Sequence, residues 1–381
     1  MRGCREPSSR SAGWTRIASI LALACLFGLA AAGPGAGRAE ANLPAGFFGV
    51  DTALTPSAQA FHQMHANGVE TFRIAVQWPE VERVPPTDVG GYQLHHYDWR
   101  RPDAEMRLLL AAGLRPHVTL IGSPSWVAPT YATSPMRSAA GRRGWPAFVD
   151  AVVARYGPGG TFWAANPDLP VRPPDAYQIW NEPNSQIAYA PVADPKQYAV
   201  LFRLAGKRIR ARDPKAAILP GGMFGTPQLS HSLYAWKFLS QFLHQPAIGD
   251  YVDGIAVHPY ANNLRGVKYQ IRKMRKAAHD AGFGSLPLYV TEIGWSSEKP
   301  NGNIFFKGVK GQAKTTRKAL GLLIRNQRKW NLRRVLWFTW SDLTQQQTYS
   351  SGCGFCKETG LVDVNLKPKP ALLSWRHFAL P

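Results

Sequence analysis

The sequence predicts an α/β chain folded as a single-domain (β/α)₈ TIM barrel, and three observations carry that expectation. Apolar strand-like runs alternate with helix-period segments eight times without a break. Two of the apolar runs carry a glutamate at or just past their end, Glu182 and Glu292, and the carboxyl ends of barrel strands are where such folds keep their chemistry. The rival fold, a doubly wound open sheet, would want a glycine-rich phosphate loop after the first strand. Asp51-Thr-Ala-Leu-Thr55 offers none.

Phe47 to Asp51 reads as the first strand and Ser57 to Asn67 as the first helix. Glu70 to Trp78 alternates, with Thr71, Arg73, Ala75 and Gln77 on one face and Phe72, Ile74 and Val76 on the other. Pro102 to Ala112 is a helix, with Met106, Leu109 and Leu110 at helical spacing. Arg115 to Ile121 is the third strand and leads into Gly122-Ser-Pro-Ser-Trp-Val-Ala-Pro129; Trp145 to Tyr156 is the next helix. Tyr177 to Trp180 is a buried fourth strand that must end by Glu182, because Pro183 cannot donate to a ladder.

Lys196 to Asp213 is a helix, and Ala217 to Pro220 a short fifth strand closed by Gly221-Gly222. Leu233 to His244 is a helix, and Val252 to Val257 a strand running into His258-Pro-Tyr260. Tyr269 to Ala281 is a helix, Leu288 to Ile293 the seventh strand, and Lys314 to Trp330 a long helix. Arg334 to Trp340 is the eighth strand and Pro370 to Phe378 the last helix. The loops after strands two, three, four and eight are long, as substrate-binding loops tend to be.

Hydrophobic residues make up 45% and charged residues 18% of the 381, a globular balance that excludes disordered and fibrous classes. Thirteen Trp suit sugar faces as well as cores. The net charge of +21 attracts polyanions such as acidic polysaccharide, an anionic envelope or nucleic acid. Zinc-finger spacing and RNA-binding signatures are absent from the sequence, so no nucleic acid partner is expected. Arginine-rich residues 1–16 and the apolar run Ile17 to Ala32 precede a small-x-small site at Ala39 and Ala41. Residues 1–41 therefore read as a signal peptide, with an uncleaved anchor or lipid at Cys25 as the alternatives.

Cleavage there removes five Arg and two Glu and leaves residues 42–381 at +18. The expected location is secreted or extracytoplasmic, with membrane contact only if the leader stays. Cys353-Gly-Phe-Cys356 then reads as a short local disulfide, worth about 2 kcal/mol by loop closure.

Taken together, these residues resemble the retaining (β/α)₈ glycoside hydrolases of clan A, with families 39 and 5 the nearest in pattern. The resemblance runs from Gly49 to about His377. Its strongest elements are Trp180-Asn-Glu-Pro-Asn184 and Thr291-Glu-Ile-Gly-Trp295. Phe72-Arg-Ile74, Ser123-Pro-Ser-Trp126, His258-Pro-Tyr260, Trp337-Phe-Thr-Trp-Ser-Asp342 and Pro368-Lys-Pro-Ala371 complete the ordered set. It implies Glu182 as acid/base, Glu292 as nucleophile and Asn181 as a partner of the sugar 2-hydroxyl. The chain stops at Pro381, without the β-sandwich that family 39 xylosidases add, so the sugar stays open.

Retaining hydrolysis needs two carboxyls about 5–5.5 Å apart, one attacking and one protonating. Glu292 is expected to raise the pKa of Glu182 by like charge, with Arg73 and Tyr260 keeping Glu292 ionised. His258 is expected to line the site, and His117 to be a core histidine. Trp340 or Trp337 would stack on sugar, and Trp126 and Trp295 would extend the cleft. The sequence shows no metal cluster or cofactor motif, and this chemistry requires none. The expected partner is a poly- or oligosaccharide, anionic if the basic surface captures substrate, and the chain is expected to be a monomer. A non-catalytic carbohydrate-binding or envelope-associated barrel is the alternative.

Overall fold

The structure, a computed structural model, describes residues 43–380; the signal-peptide reading lies outside them. All eight expected strands are present: β1 (Phe48–Asp51), β2 (Thr71–Gln77), β3 (Arg115–Ile121), β4 (Ala176–Ile179), β5 (Ala217–Pro220), β6 (Ile255–His258), β7 (Leu288–Ile293) and β8 (Leu332–Phe338). They run parallel and pair as β5-β4-β3-β2-β1-β8-β7-β6. After Gly221-Gly222 the fifth strand resumes as Met223–Phe224 and pairs with β6. One strand thus bonds β4 with its first half and β6 with its second, and that closes the barrel.

Helices Ala58–Ala66, Arg100–Ala111, Ala139–Tyr156, Pro195–Arg212, Ala235–Leu243, Leu264–Asp280, Gly308–Arg325 and Pro370–Ala379 follow the strands in turn. Several start where a polar side chain takes up orphan backbone N–H groups, as Ser57, Ser138, Asp194 and Asn263 do. Three helices begin five or more residues before the periodicity suggests, one of them at Gly308 in place of Lys314. Ser138 starts another at Ala139, with Pro146 accommodated inside it, and Asn263 starts the third at Leu264.

Outward strand residues such as Ile74, Val118, Val257 and Val335 join the helices in one core. Inside the barrel, Arg334 is 1% exposed and makes the floor. It donates to Gly46 O at 2.9 Å and pairs with Asp175 at 2.5 Å. Its guanidinium also lies 3.0 Å from Nδ1 of His117, which is the core histidine expected. The long loops carry structure that periodicity did not announce: an antiparallel hairpin, Thr87–Val89 with Tyr92–Leu94, after β2, and a helix, Gln345–Ser351, after β8. Only the Gly90-Gly91 turn signals the hairpin in sequence.

Candidate active site

Tyr177 and Ile179 on β4 face the helices, and the chain then turns sharply. Trp180 and Glu182 both hold positive φ, 71° and 43°, a conformation that costs a side chain energy and that surrounding contacts must enforce. Each residue of the motif supplies part of that enforcement. Trp180 is fully buried and donates its indole N–H to Ala188 O at 2.7 Å. Asn184 donates to Phe224 O and Leu233 O and accepts from Phe224 N, tying the loop to the second half of the fifth strand. The Glu182 N–H donates to Gly222 O at 3.0 Å. The carboxyl is thereby turned inward at the rim.

Glu292 reaches the same space by a different device. Val290 pairs with Val335 and Ile293 with Trp337, so Thr291 and Glu292 together face the single residue Leu336. This bulge lets two consecutive residues point into the barrel. Glu292 Oε1 receives Arg73 Nη1 at 2.8 Å and Oε2 receives the Tyr260 hydroxyl at 3.2 Å. Arg73 also binds Asp51, the Thr119 hydroxyl at 2.9 Å and Asn181 Oδ1 at 2.8 Å. His258 stands between the two glutamates, with Nδ1 2.9 Å from Glu182 Oε1 and Nε2 3.1 Å from the Thr291 hydroxyl and 3.4 Å from Glu292 Oε1. One oxygen each of Glu182 and Glu292 and a His258 nitrogen lie within 4.8 Å of one another. The same three groups are a possible cation cage, though both His258 nitrogens already have partners.

Gly222 makes this approach possible. A Cβ there would overlap His258 Nε2 and the Thr291 hydroxyl. Gly222→Ala is expected to push the imidazole off both glutamates, costing about 1–3 kcal/mol of stability by overpacking and about 100-fold in kcat/KM by misplacement. Urea unfolding and steady-state kinetics check both numbers.

Burial raises the Glu182 carboxyl to about 7, and Arg73 opposes the rise. The expected cause, the charge on Glu292, is corrected: removal from water is what keeps this carboxyl protonated. Glu292 is raised as well, again chiefly by burial, with the Arg73 cation pulling it down. The two differ in their contacts, because Arg73 and Tyr260 touch the Glu292 carboxyl directly and, among the described residues, only His258 bonds that of Glu182. These contacts favour the pair's negative charge on Glu292 and its proton on Glu182. Burial depresses His258 to about 4, so the imidazole is neutral.

The structure brings Glu182, Glu292, Arg73, Asn181, His258 and Tyr260 together, as the sequence led one to expect. The tryptophans are a correction. Trp295, Trp337 and Trp340 are each fully buried, so none offers a ring face to a ligand. Trp295 donates to Ala261 O and Trp340 to Gln63 Oε1. Trp337 is in register with Val50 and faces the helices, whereas Phe338 is in register with Asp51 and faces inward, 8% exposed.

Counting by twos from inward Arg334 leads to Phe338, the signal that could have identified it. Trp126 is half-buried and donates to Glu82 O at 3.1 Å, which leaves it at the rim. Sequence reasoning also missed Asp51, Thr119 and Thr291, which lie on inward faces and bond Arg73 or His258.

No protein-family description and no curated protein matches the sequence. Solved structures do match in fold. A GH39 enzyme from Xanthomonas axonopodis pv. citri superposes with a TM-score of 0.61 at 19% identity, over 88% of this chain and 67% of its own. A monomeric β-xylosidase from Caulobacter crescentus CB15 gives 0.61 at 20%, over 89% and 70%. A family 5 (subfamily 18) enzyme from Streptomyces cattleya, in complex with Manβ1-4GlcNAc, gives 0.60 at 14%, over 87% and 80%. The chain has the (β/α)₈ fold that these family 39 and family 5 glycoside hydrolases share.

Proposed function

We propose that this protein is a retaining glycoside hydrolase that cleaves β-linked poly- or oligosaccharide by double displacement. One observation carries the reading: two inward carboxyls at strand ends, oxygens within 4.8 Å, of which only one touches a cation. That proximity supports a retaining pair, in which one carboxyl attacks the anomeric carbon directly. Glu292, ionised by Arg73, attacks; Glu182 gives its proton to the leaving oxygen and then takes one from water. Arg73 occupies Asn181 Oδ1, so the Asn181 amide N–H₂ is the end turned to donate to a sugar hydroxyl. Phe338 and Tyr260 supply apolar wall. The leader places the enzyme outside the cytoplasm, acting as a monomer.

Reducing-sugar release from a polysaccharide panel, with the product anomer read by NMR, tests the reaction. Release with retained configuration is expected; inverted product would overturn the mechanism, and no release from any glycan the activity itself. The pH dependence follows from the contacts. Glu182 must be protonated, so kcat/KM is expected to fall as pH rises through about 7, the value to which burial raises Glu182. The acid limb belongs to Glu292, whose charged form Arg73 and Tyr260 favour. An alkaline limb unchanged in Glu182→Ala on an activated aryl glycoside would assign it to another group.

Cys353 and Cys356, with Cα atoms 5.4 Å apart, lie at disulfide distance, which supports the reading that they are bonded. The pair holds the loop on which Phe355 packs edge-on to Tyr260, centroids 5.9 Å apart. In protein from an oxidising compartment, Ellman titration of denatured, unreduced chain is expected to find no free thiol among residues 42–381.

A further inference from the structure

Positive charge is unevenly placed on this barrel. Residues 254–380 carry 21 Lys and Arg against six Asp and Glu, whereas residues 43–253 carry 19 against 16. On helix Leu264–Asp280, Arg265, Lys268, Arg272 and Lys276 are exposed and recur every three or four residues, which makes one outward stripe. Among the described residues only Lys276 of these four has an ion-pair partner, Asp280. Solvation would account for the stripe alone. It does not account for the aromatic cluster set into its edge.

Tyr234 and Tyr269 are 39% and 52% exposed. Tyr234 stacks on Trp236 with centroids 4.8 Å apart and planes at 25°, and Tyr269 stands edge-on to Trp236 at 5.6 Å. Lys237 Nζ lies 5.8 Å from the Tyr234 ring, and Lys273 Nζ lies 5.6 Å from Tyr269 and 6.0 Å from Trp236. Partly exposed aromatic rings gathered in one cluster mark a binding surface more often than scattered apolar residues do. Ring faces take the C–H face of a pyranose while flanking ammonium groups take carboxylates. Such a combination selects a sugar polymer that carries negative charge.

The cluster also lies next to the proposed chemistry. Tyr234 follows Leu233, whose N–H donates to Asn184 O at 2.8 Å and whose O accepts from Asn184 Nδ2 at 2.8 Å. Asn184 is two residues beyond Glu182, and the group that protonates the leaving oxygen defines the leaving-group side of a cleft. The loop that carries Glu182 is thus hydrogen-bonded to the residue next to Tyr234, which sets the cluster on the leaving-group side.

We propose that Tyr234, Trp236, Lys237, Tyr269 and Lys273 form a second carbohydrate-binding site, outside the cleft, that holds the leaving-group portion of an acidic polysaccharide. The ligand class rests on the glycosidase reading above. Single-stranded nucleic acid also stacks on aromatic rings beside cations, and the test therefore includes it.

Binding is measured by titration calorimetry in full-length Glu292→Gln protein, which cannot consume the polymer. The probes are soluble β-1,4-polymannuronate, a neutral galactomannan and an oligothymidylate, at about 0.15 M salt. Polymannuronate is expected to bind most tightly, and Tyr269→Ala/Lys273→Ala to weaken it about tenfold or more. Lys318→Ala, an equal loss of charge on helix Gly308–Arg325, is expected to weaken it no more than about twofold. Matching thermal midpoints control for folding.

Equal losses in the two variants would reduce the site to diffuse electrostatics and overturn the proposal. So would oligothymidylate binding as tightly and responding as strongly. Hydrolysis is not read in this assay. A wild-type protein that hydrolyses nothing would sink the glycosidase reading alone, and unchanged binding in an active enzyme would sink the second site alone.

Discussion

Glu292→Ala is expected to abolish turnover of every substrate, a loss on the order of 10⁴–10⁶-fold, because without the nucleophile no glycosyl-enzyme forms. Glu182→Ala is expected to behave differently. It removes a proton donor worth about 10²–10⁴-fold, but an aryl glycoside with a good leaving group hardly needs that proton. Its first step survives while breakdown of the intermediate stalls for want of a general base. Added azide needs no base, so it should speed Glu182→Ala and yield a β-glycosyl azide from a β-linked substrate. In Glu292→Ala, azide fills the vacated space and attacks directly, yielding the α-azide. Swapped stereochemistry would exchange the two assignments. Activity near wild type in either variant would end the paired-carboxylate reading, whatever the fold.

Arg73→Met is expected to be nearly as damaging, and to the fold as well as to the chemistry. Arg73 is 7% exposed and pairs with both Asp51 and Glu292. Removing one partner of a buried ionic cluster leaves charge uncompensated, at a cost of about 3–5 kcal/mol. The pH dependence separates this from simple loss of packing. With the cation gone, both carboxyls titrate still further above their unfolded values in the folded state. A carboxyl raised in this way destabilises only where it must ionise, so the deficit should be full at about pH 8 and shrink towards about pH 4.

Urea unfolding of wild type and variant at both pH values measures it, and a deficit independent of pH would deny the ionic role. Activity should fall together with stability, because Glu292 then ionises only where Glu182 has lost its proton. Asp51→Asn in the Arg73→Met background should restore part of the stability and none of the activity. That split distinguishes the structural half of the cluster from the catalytic half.

The inward face of β2 was legible in sequence because alternation is local: Thr71, Arg73, Ala75 and Gln77 declare one side, and a charged residue among them declares a partner. The same counting along β8 leads from Arg334 to Phe338, yet the eye goes to the tryptophans, whose size says nothing about direction. Trp337 and Trp340 proved to be helix-side packing. Composition suggested sugar-stacking rings; the strand's register with Val50 and Asp51 decided which ring faces inward. The bulge at Thr291-Glu292 was not legible at all, since it exists only as a mismatch between β7 and β8.

The sequence by itself determined the order of strands and helices, the single-barrel architecture and the two glutamates at strand ends, since all of these follow from short-range periodicity and from where proline and glycine interrupt it. It also determined that Arg73, His258 and Tyr260 sit on elements that reach one rim. Only the tertiary structure decided that the fifth strand divides at Gly221-Gly222 to close the barrel, that His258 spans the two carboxyls, and that burial, more than the charge of its neighbour, keeps Glu182 protonated. Each of these depends on distances and solvent exclusion among residues far apart in the chain, and a sequence carries such quantities only through the fold it adopts.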